Sequence, residues 1–539
     1  MTGRISGADL ALPRAPLANP FAGMDLPMLL ARQASVHGDR PFLIWAPFDG
    51  PTETWSYARF HRDVAAVAAG MAGRGIRPGD PVLLHMDNCP EMAIAWHACA
   101  RIGAIAVTTN TRSSGPELGY FASHSGAVAA ITQPRYAEIV ARHAPQLRWL
   151  ACTARDSIVP EAAVPEPNAV DGFARLYGDP DDAPVLPPDP MRRLSIQYTS
   201  GTTSRPKAVL WSHANALWGG LTGAGNERLT PQDVHLVFLP LFHTNALSYS
   251  MLATLWAGAR FVLQPRFSIS RFWDVALEQN CTWCSMVGFM ARALVERPLP
   301  ERHCFRVLSP AVAYPPLEQL LGVRTMGLWG MTETITQSIV TDLSAPSTMM
   351  SIGRPHPAYD MAVLGEDGRP VQSGETGSLL VRGVRGITLF REYLHEAEAT
   401  RSAFDERGYF ITGDRVTLLE NGEMRFADRE KDMLKVGGEN VAASEVEAVI
   451  AAIPGVREVA VVGRPHAMLD EVPVAFVIAT DEARAEPDLL AERIGAVCRN
   501  DLADFKVPRE IRLVESLPRA ALEKVAKSRL RAALIAERG

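Results

Sequence analysis

The sequence predicts an α/β protein: a large N-terminal region of layered βα units with a small β unit, followed by a separate α+β region. Three observations carry this expectation. From Asp25 to Val107 the apolar periodicity switches repeatedly between helix and strand, the signature of βα repetition and a mostly parallel, covered sheet. Glu375 to Gly383 and Tyr409 to Asp414 look like short strand-and-turn pieces of a smaller β unit. A chain of 539 residues is too long for one compact core and calls for two or three folding units.

The elements follow in order. A helical stretch Leu26 to His37, a strand Pro41 to Ala46, a helix Tyr57 to Arg74 and a strand Pro81 to His85 are punctuated by Gly75 and Pro78-Gly79. Helix Pro90 to Ile102 and the apolar run Ala104 to Val107 form the next unit. Pro160 to Pro190, rich in Pro, Asp and Ala without apolar periodicity, reads as a surface excursion. Leu194 to Tyr198 alternates as a strand, and Leu236 to His243 reads as a buried strand ending on a histidine. Toward the end, helix Ser444 to Ala452 and strands Val456 to Gly463 and Pro473 to Ile478 give the α+β pattern.

Composition excludes several classes. With 47% hydrophobic and 21% charged residues the chain is globular, and a formal net charge of -6 leaves no basic excess for nucleic acid or an anionic membrane. No run of about 18 apolar residues occurs, and Asp9, Arg14 and prolines interrupt the N-terminus before a signal-type segment can build. A cytoplasmic small-molecule enzyme is expected. The seven cysteines are scattered and odd in number, so a reducing compartment is implied. Cys281-Thr282-Trp283-Cys284 is a lone CxxC in an apolar run, and a buried structural role is favoured over metal or redox chemistry.

Residues 198–209, Tyr-Thr-Ser-Gly-Thr-Thr-Ser-Arg-Pro-Lys-Ala-Val, form the most informative stretch. Backbone N–H groups of Gly201 to Ser204, the hydroxyls of Thr199, Ser200, Thr202 and Thr203, and the Lys207 ammonium can surround a polyphosphate. An ordinary Ser/Thr-rich surface loop is the plain alternative. A Walker A loop fails, because Pro206 precedes the lysine and Ala208 follows it.

This stretch resembles the phosphate loop of the adenylate-forming superfamily, which includes acyl-CoA synthetases, peptide-synthetase adenylation domains and beetle luciferases. The family pattern Tyr-Thr-Ser-Gly-Thr-Thr-Gly-x-Pro-Lys-Gly is matched except at two glycines, here Ser204 and Ala208. Further segments resemble the family in the same order. Leu-Pro-x-Phe/Tyr-His falls on Pro240, Phe242 and His243, where a lone histidine could equally be a satisfied core residue; the resemblance places Thr244, Asn245 and Leu247 against the acyl group. No aspartate lies there to hold an α-ammonium, so an ordinary amino acid is disfavoured. Ser309-Pro310-Ala311-Val312-Ala313 occupies the place of the family's small-residue pocket segment, with side chains that narrow it.

Gly327-Leu328-Trp329-Gly330-Met331-Thr332-Glu333 resembles Tyr-Gly-x-Thr-Glu, with Trp329 in place of Tyr. The resemblance implies ATP contacts from Trp329, Gly330, Met331 and Thr332, and Mg²⁺ held through ATP phosphates by Glu333 with Thr202; a capped helix start at Thr332 and Glu333 is the bland alternative. Asp414 matches the aspartate that accepts the ribose hydroxyls. Asp428 to Asn440 resembles the inter-domain hinge, with Arg429 for the ribose, Lys431 at the pivot, and Lys435, Gly437 and Gly438 along the path of CoA; a solvated charge cluster is the alternative. Leu517 to Lys527 resembles the loop that carries the catalytic lysine, here Lys524, with Glu523 replacing a glycine and Lys527 as the competitor.

The resemblance thus implies an adenylation domain over 1–427 and a mobile C-terminal domain over 428–539, using ATP, Mg²⁺ and coenzyme A. The implied reaction is AMP-forming ligation of a carboxylic acid to CoA, with His243, Glu333 and Lys524 as catalytic residues. Carrier-protein phosphopantetheine is the alternative acceptor, and a catalytically inactive nucleotide-binding homologue is the alternative of another class. The tail resembles ligases of carnitine-like and aryl acids. His243 to Leu247, Ser309 to Ala313 and Leu328 to Met331 contain no Asp, Glu, Lys or Arg, which favours an uncharged ring-bearing acid of benzoate or naphthoate type over carnitine or a medium-chain acid.

Overall fold

A computed structural model describes residues 18–537 except 155, 157–169, 200–205, 296, 430–432 and 519–524. The chain divides into two compact units, one made of 1–111, 122–197 and 208–428, the other of 112–121, 198–207 and 429–539.

The first unit holds a nine-stranded sheet, an eight-stranded sheet and a four-stranded sheet. In the nine-stranded sheet the strands Arg324–Trp329, Val307–Ala311, Trp283–Ser285, Val234–Val237, Arg260–Leu263 and Pro41–Trp45 run parallel as neighbours, with antiparallel pairing at both edges. The eight-stranded sheet places Arg193–Thr199 beside Ile105–Thr108, Pro81–His85 and Ala129–Thr132, again parallel. Such sheets need apolar residues on both faces, and Trp96, Trp211, Trp283 and Phe42 are among the largest fully buried side chains. The four-stranded sheet Asp360–Leu364, Thr376–Arg382, Phe410–Leu418, Met424–Arg429 is the small β unit.

Local signals explain the element ends. Asp25 caps the helix Leu26–His37 by accepting from the Met28 N–H at 3.0 Å, and Pro27 sits in its first turn. The helix Pro90–Ile102 opens on proline and closes on Gly103 at φ 72°.

Two sequence expectations are corrected here. The strand from Leu236 stops at Val237, because Pro240 has no N–H for the ladder; instead the Asn88 amide donates to Leu239 O at 2.9 Å and accepts from Leu241 N at 2.8 Å. The following segment, Asn245–Leu252, is a π-helix, a form that concentrates at functional sites. The proline-rich excursion, where described, contributes an edge strand, Val170–Gly172.

The second unit pairs the long strands Val456–His466 and Asp470–Ala479 antiparallel, with Glu510–Leu513 parallel to the latter. Met433–Val436 and Glu439–Ala442 form a hairpin around Gly437 and Gly438, at φ 59° and 88°, the positive values a two-residue type I′ turn demands. Within this unit Lys506 is buried between Glu117 and Glu445, the latter at 2.8 Å. Burial pulls its ammonium down, but the two carboxylates outweigh this and hold its pKa above the usual value.

All seven cysteines are unpaired, and burial pushes the thiols of Cys281 and Cys284 up, so the CxxC is an inert part of the core. Among the described residues no helix is long and apolar enough to cross a membrane.

Candidate active site

In the first unit, the turn after the strand Arg324–Trp329 gathers most of the described site residues. Thr332 to Thr334 form a short 3₁₀ turn, not a capped α-helix, and the next residue, Ile335, takes φ 69°. A β-branched residue in that region is a genuine outlier. Three contacts pin the turn. The Trp211 indole donates to Thr332 O at 2.9 Å, Phe390 N donates to Glu333 O at 2.8 Å, and the Tyr393 hydroxyl donates to Glu333 Oε1 at 2.9 Å. Tyr393 is on the short strand Glu392–Tyr393 paired with Val209 and Leu210, two and three residues beyond Lys207.

The Thr244 hydroxyl links two predicted segments, lying 2.9 Å from Gln197 Oε1 and 3.2 Å from Thr332 Oγ1. His243 is half-buried in the turn that follows Pro240, its N–H donating to Pro240 O at 3.0 Å. Asn245 begins the π-helix, in which Asn245 Oδ1 and Ser248 Oγ are buried without a hydrogen-bond partner among the described residues. Gly330 permits a close approach. A Cβ there would fall 2.3 Å from Thr336 O and 2.4 Å from the Tyr249 hydroxyl.

Ala311 takes φ 68° at an irregularity in the pairing of its strand with Arg324–Trp329. A glycine would hold that conformation without a Cβ penalty, so the alanine carries strain. Val312 is half-buried and Ala313 buried, with Ala313 N donating to Ser351 O at 2.8 Å. Asp414, 3% exposed, accepts from the Trp329 indole, Nε1 to Oδ2 being 2.8 Å.

In the second unit, Thr199 and Lys207 are half-buried strand ends on either side of the loop, while Lys435 is exposed on the hairpin carrying Gly437 and Gly438. Ser200, Gly201, Thr202, Thr203, Ser204, Lys431, Glu523 and Lys524 lie outside the described residues, as does the side chain of Arg429. Lys527, the competitor for the catalytic role, is held by Glu447 at 2.7 Å. Ala208, the second glycine replacement, is a buried strand residue with ordinary backbone needs.

Sequence reasoning missed Tyr393, Gln197, Tyr249 and Glu227. The first three sit in short mixed stretches, Ser195 to Thr199, Ser248 to Ser250 and Arg391 to Glu396, and match no motif. Glu227 follows the Gly-rich helix His213–Asn226 and reads as a solvated cap, yet it is fully buried. Gln337 Nε2 donates to its Oε1 at 2.7 Å, and His235 Nδ1 stands 3.8 Å from Oε2. His235 in turn packs on Trp283 at 4.7 Å between ring centroids, and Trp283 shares a cluster with Tyr249. Burial holds the Glu227 carboxyl well above the usual range and pushes the His235 imidazole down to about 3, so this contact is between neutral groups.

A sheet-layered α/β unit, an α+β unit and this pinned turn fit the adenylate-forming superfamily that the sequence motifs resemble, and the comparisons show the class. The AMP-binding enzyme profile matches residues 30–394 and that of the AMP-binding enzyme C-terminal domain matches 445–524, so the chain belongs to the AMP-binding enzyme family. Within it the chain is an AMP-forming acid–CoA ligase. The crotonobetaine/carnitine–CoA ligase of Salmonella typhimurium is 31% identical over 94% of this chain and 99% of its own length. The same enzyme of Escherichia coli O7:K1 is 32% identical over 95% and 99%. Among solved structures, an o-succinylbenzoate CoA synthetase from Bacillus subtilis superposes with a TM-score of 0.79 at 25% identity, covering 94% of this chain and 99% of that one. MatB from Rhodopseudomonas palustris, solved with ATP bound, gives 0.66 at 26% identity over 95% and 99%.

Proposed function

We propose that this ligase activates an uncharged, ring-bearing carboxylic acid, of hydroxylated benzoate or naphthoate type, and transfers it to CoA. The acid's carboxylate attacks the α-phosphorus of ATP and pyrophosphate leaves. The CoA thiol then attacks the acyl carbon of the adenylate and AMP departs. Lys524 would meet the charge that builds between carboxylate and α-phosphate, Lys207 with the hydroxyls of Thr199 and Ser200 would hold phosphate oxygens, and Trp329 with Asp414 would hold adenosine. His243 would wall the acyl group off from the reaction centre. Glu333 suits Mg²⁺: it is a buried hard oxygen donor, and this ion binds through one or two carboxylates plus substrate phosphates. Glu333 with Thr202 would hold it, and the ion would neutralise charge on the phosphates.

The observation that carries the substrate class is that the acyl segments themselves, 243–247, 309–313 and 328–331, contain no Asp, Glu, Lys or Arg. Phe242, Val312 and Trp329 are apolar, Asn245 and Ser248 offer neutral hydrogen-bonding groups, and burial raises the pKa of the Glu227 carboxyl, whose neighbour His235 packs on Trp283. A quaternary ammonium would be desolvated there without a counter-ion, at several kcal/mol. The carnitine-type relatives supply the second reading, an acid with a cationic tail. Pyrophosphate release over substituted aromatic acids, medium-chain acids and carnitine tests the choice, and a higher kcat/KM for carnitine would overturn it. A carrier-protein acceptor would appear as acyl transfer to phosphopantetheinylated protein in preference to CoA.

A further inference from the structure

The Trp329–Asp414 hydrogen bond does more than satisfy a buried indole. Asp414 sits in a local distortion of its sheet. Along the pairing of Thr376–Arg382 with Phe410–Leu418, Ser378 faces Arg415 and Leu380 faces Ile411, so Leu379 alone opposes Thr412, Gly413 and Asp414. Bulges of this kind re-aim a side chain out of the ladder. The distortion is itself held in place. The Thr412 hydroxyl donates to Leu379 O at 2.6 Å and accepts from Asp414 N at 3.0 Å, while Gly413 supplies φ 72°. The result is a backbone fixed in front of a carboxylate whose terminal torsion is intrinsically broad and two-fold.

Trp329 restrains that torsion from one side. It is the last residue of a strand in the nine-stranded sheet, anchored by antiparallel pairing with Ile339, and only 6% exposed. Its indole edge donates to Asp414 Oδ2 at 2.8 Å across to the four-stranded sheet. An indole has one donor and no acceptor, so its edge can serve only an acceptor such as this carboxylate. A carboxylate has about four lone-pair sites; fixing one of them orients the others.

We propose that Trp329 is a positioning residue for ribose recognition: its indole N–H locks the Asp414 carboxylate in the orientation that accepts the two ribose hydroxyls of ATP. The tryptophan in place of the family's tyrosine thus joins adenine stacking and ribose reading in one side chain. This rests on the reading of Asp414 as the ribose acceptor.

The test is ATP–pyrophosphate exchange with ATP, 2′-deoxyATP and 3′-deoxyATP, comparing wild type, Trp329→Phe, Asp414→Asn and the double variant. Trp329→Phe keeps a ring and removes the donor. The isosteric 3-benzothienylalanine at 329 does the same with the indole's shape and covers the case of a poorly folded Phe variant. The expected result is a roughly tenfold rise in KM for ATP, larger than any change in kcat, and a similar loss of discrimination against the deoxynucleotides. In the Asp414→Asn background, removing the indole N–H should add under about twofold, because its effect passes through Asp414. Equal factors in both backgrounds, or parallel shifts for all three nucleotides, would overturn the proposal and leave the bond a structural one. Failure of wild type to exchange pyrophosphate with any acid would instead remove the functional reading beneath it.

Discussion

Glu227 makes a quantitative case. Its carboxyl is fully buried, one oxygen accepts from Gln337, and burial holds it neutral where an unfolded glutamate would ionise. A folded pKa above the unfolded 4.5 means that the native state binds the extra proton. Stability from this group is therefore complete below the unfolded pKa and declines as pH rises, until the folded pKa is reached. The slope is about 1 kcal/mol per pH unit over the interval between the unfolded and the folded pKa. Glu227→Gln keeps the shape and the acceptor facing Gln337, and places an amide N–H toward His235, whose neutral imidazole can accept it. The variant should therefore gain on the wild type with rising pH, by about 1 kcal/mol per unit between pH 6 and 7. Denaturant midpoints followed by tryptophan fluorescence at pH 5.5, 6, 7 and 8 read this directly. A difference between the two proteins that does not change with pH would mean that Glu227 is already ionised in the fold, and the argument for a charge-free pocket would fall with it.

Three further outcomes are expected. Ala311→Gly relieves the positive φ and should stabilise by about 1 kcal/mol after the entropy of the added glycine is counted, while raising kcat/KM for bulkier acids; a loss of stability would show that the alanine packing outweighs the strain. Tyr393→Phe removes a hydrogen bond to a carboxylate, worth roughly 1.5–3 kcal/mol, and should lower pyrophosphate exchange about 10- to 100-fold with a higher Mg²⁺ requirement; an unchanged Mg²⁺ titration would reduce Tyr393 to a structural role. Lys524→Ala should abolish adenylation yet leave thioester formation from pre-made acyl-adenylate, whereas Lys527→Ala, which removes the ion pair with Glu447, should do much less. Reversed behaviour of the two lysines would show the alignment across Glu523 to be off.

The fold was legible where local chemistry decides it. Strand Pro81–His85 and helix Pro90–Ile102 begin and end where proline, glycine and apolar period say they should. The strand expected to reach His243 was not, because its apolar run continues past Pro240 while the hydrogen-bond partners beyond come from Asn88, some 150 residues earlier. No period in a sequence reports such a partner. The site divides in the same way. Trp329, Glu333 and Asp414 stand out as polar or aromatic residues among glycines, but Tyr393 and Glu227 matter only through contacts made by residues distant in the chain.

The positions where this chain departs from the family's small residues are not equivalent, and their backbone explains why. Ala208 replaces a glycine inside a regular strand, so nothing there demands the freedom of glycine. Ala311 occupies a positive φ that glycine would take without strain. Ile335, at φ 69° directly after the turn bearing Glu333, is a second strained residue, fully buried and so fixed by packing. Strain of this kind persists only where surrounding structure over-determines it, and here the pins are Trp211, Phe390 and Tyr393 on the turn and the Ala313–Ser351 bond beside Ala311. The two strained residues therefore mark backbone held rigid at Ala311 and beside Glu333. On the proposed reading of this segment as a wall of the acid pocket, its rigidity would select acids by shape, so Ala311→Gly should relax acid preference more than it alters ATP affinity.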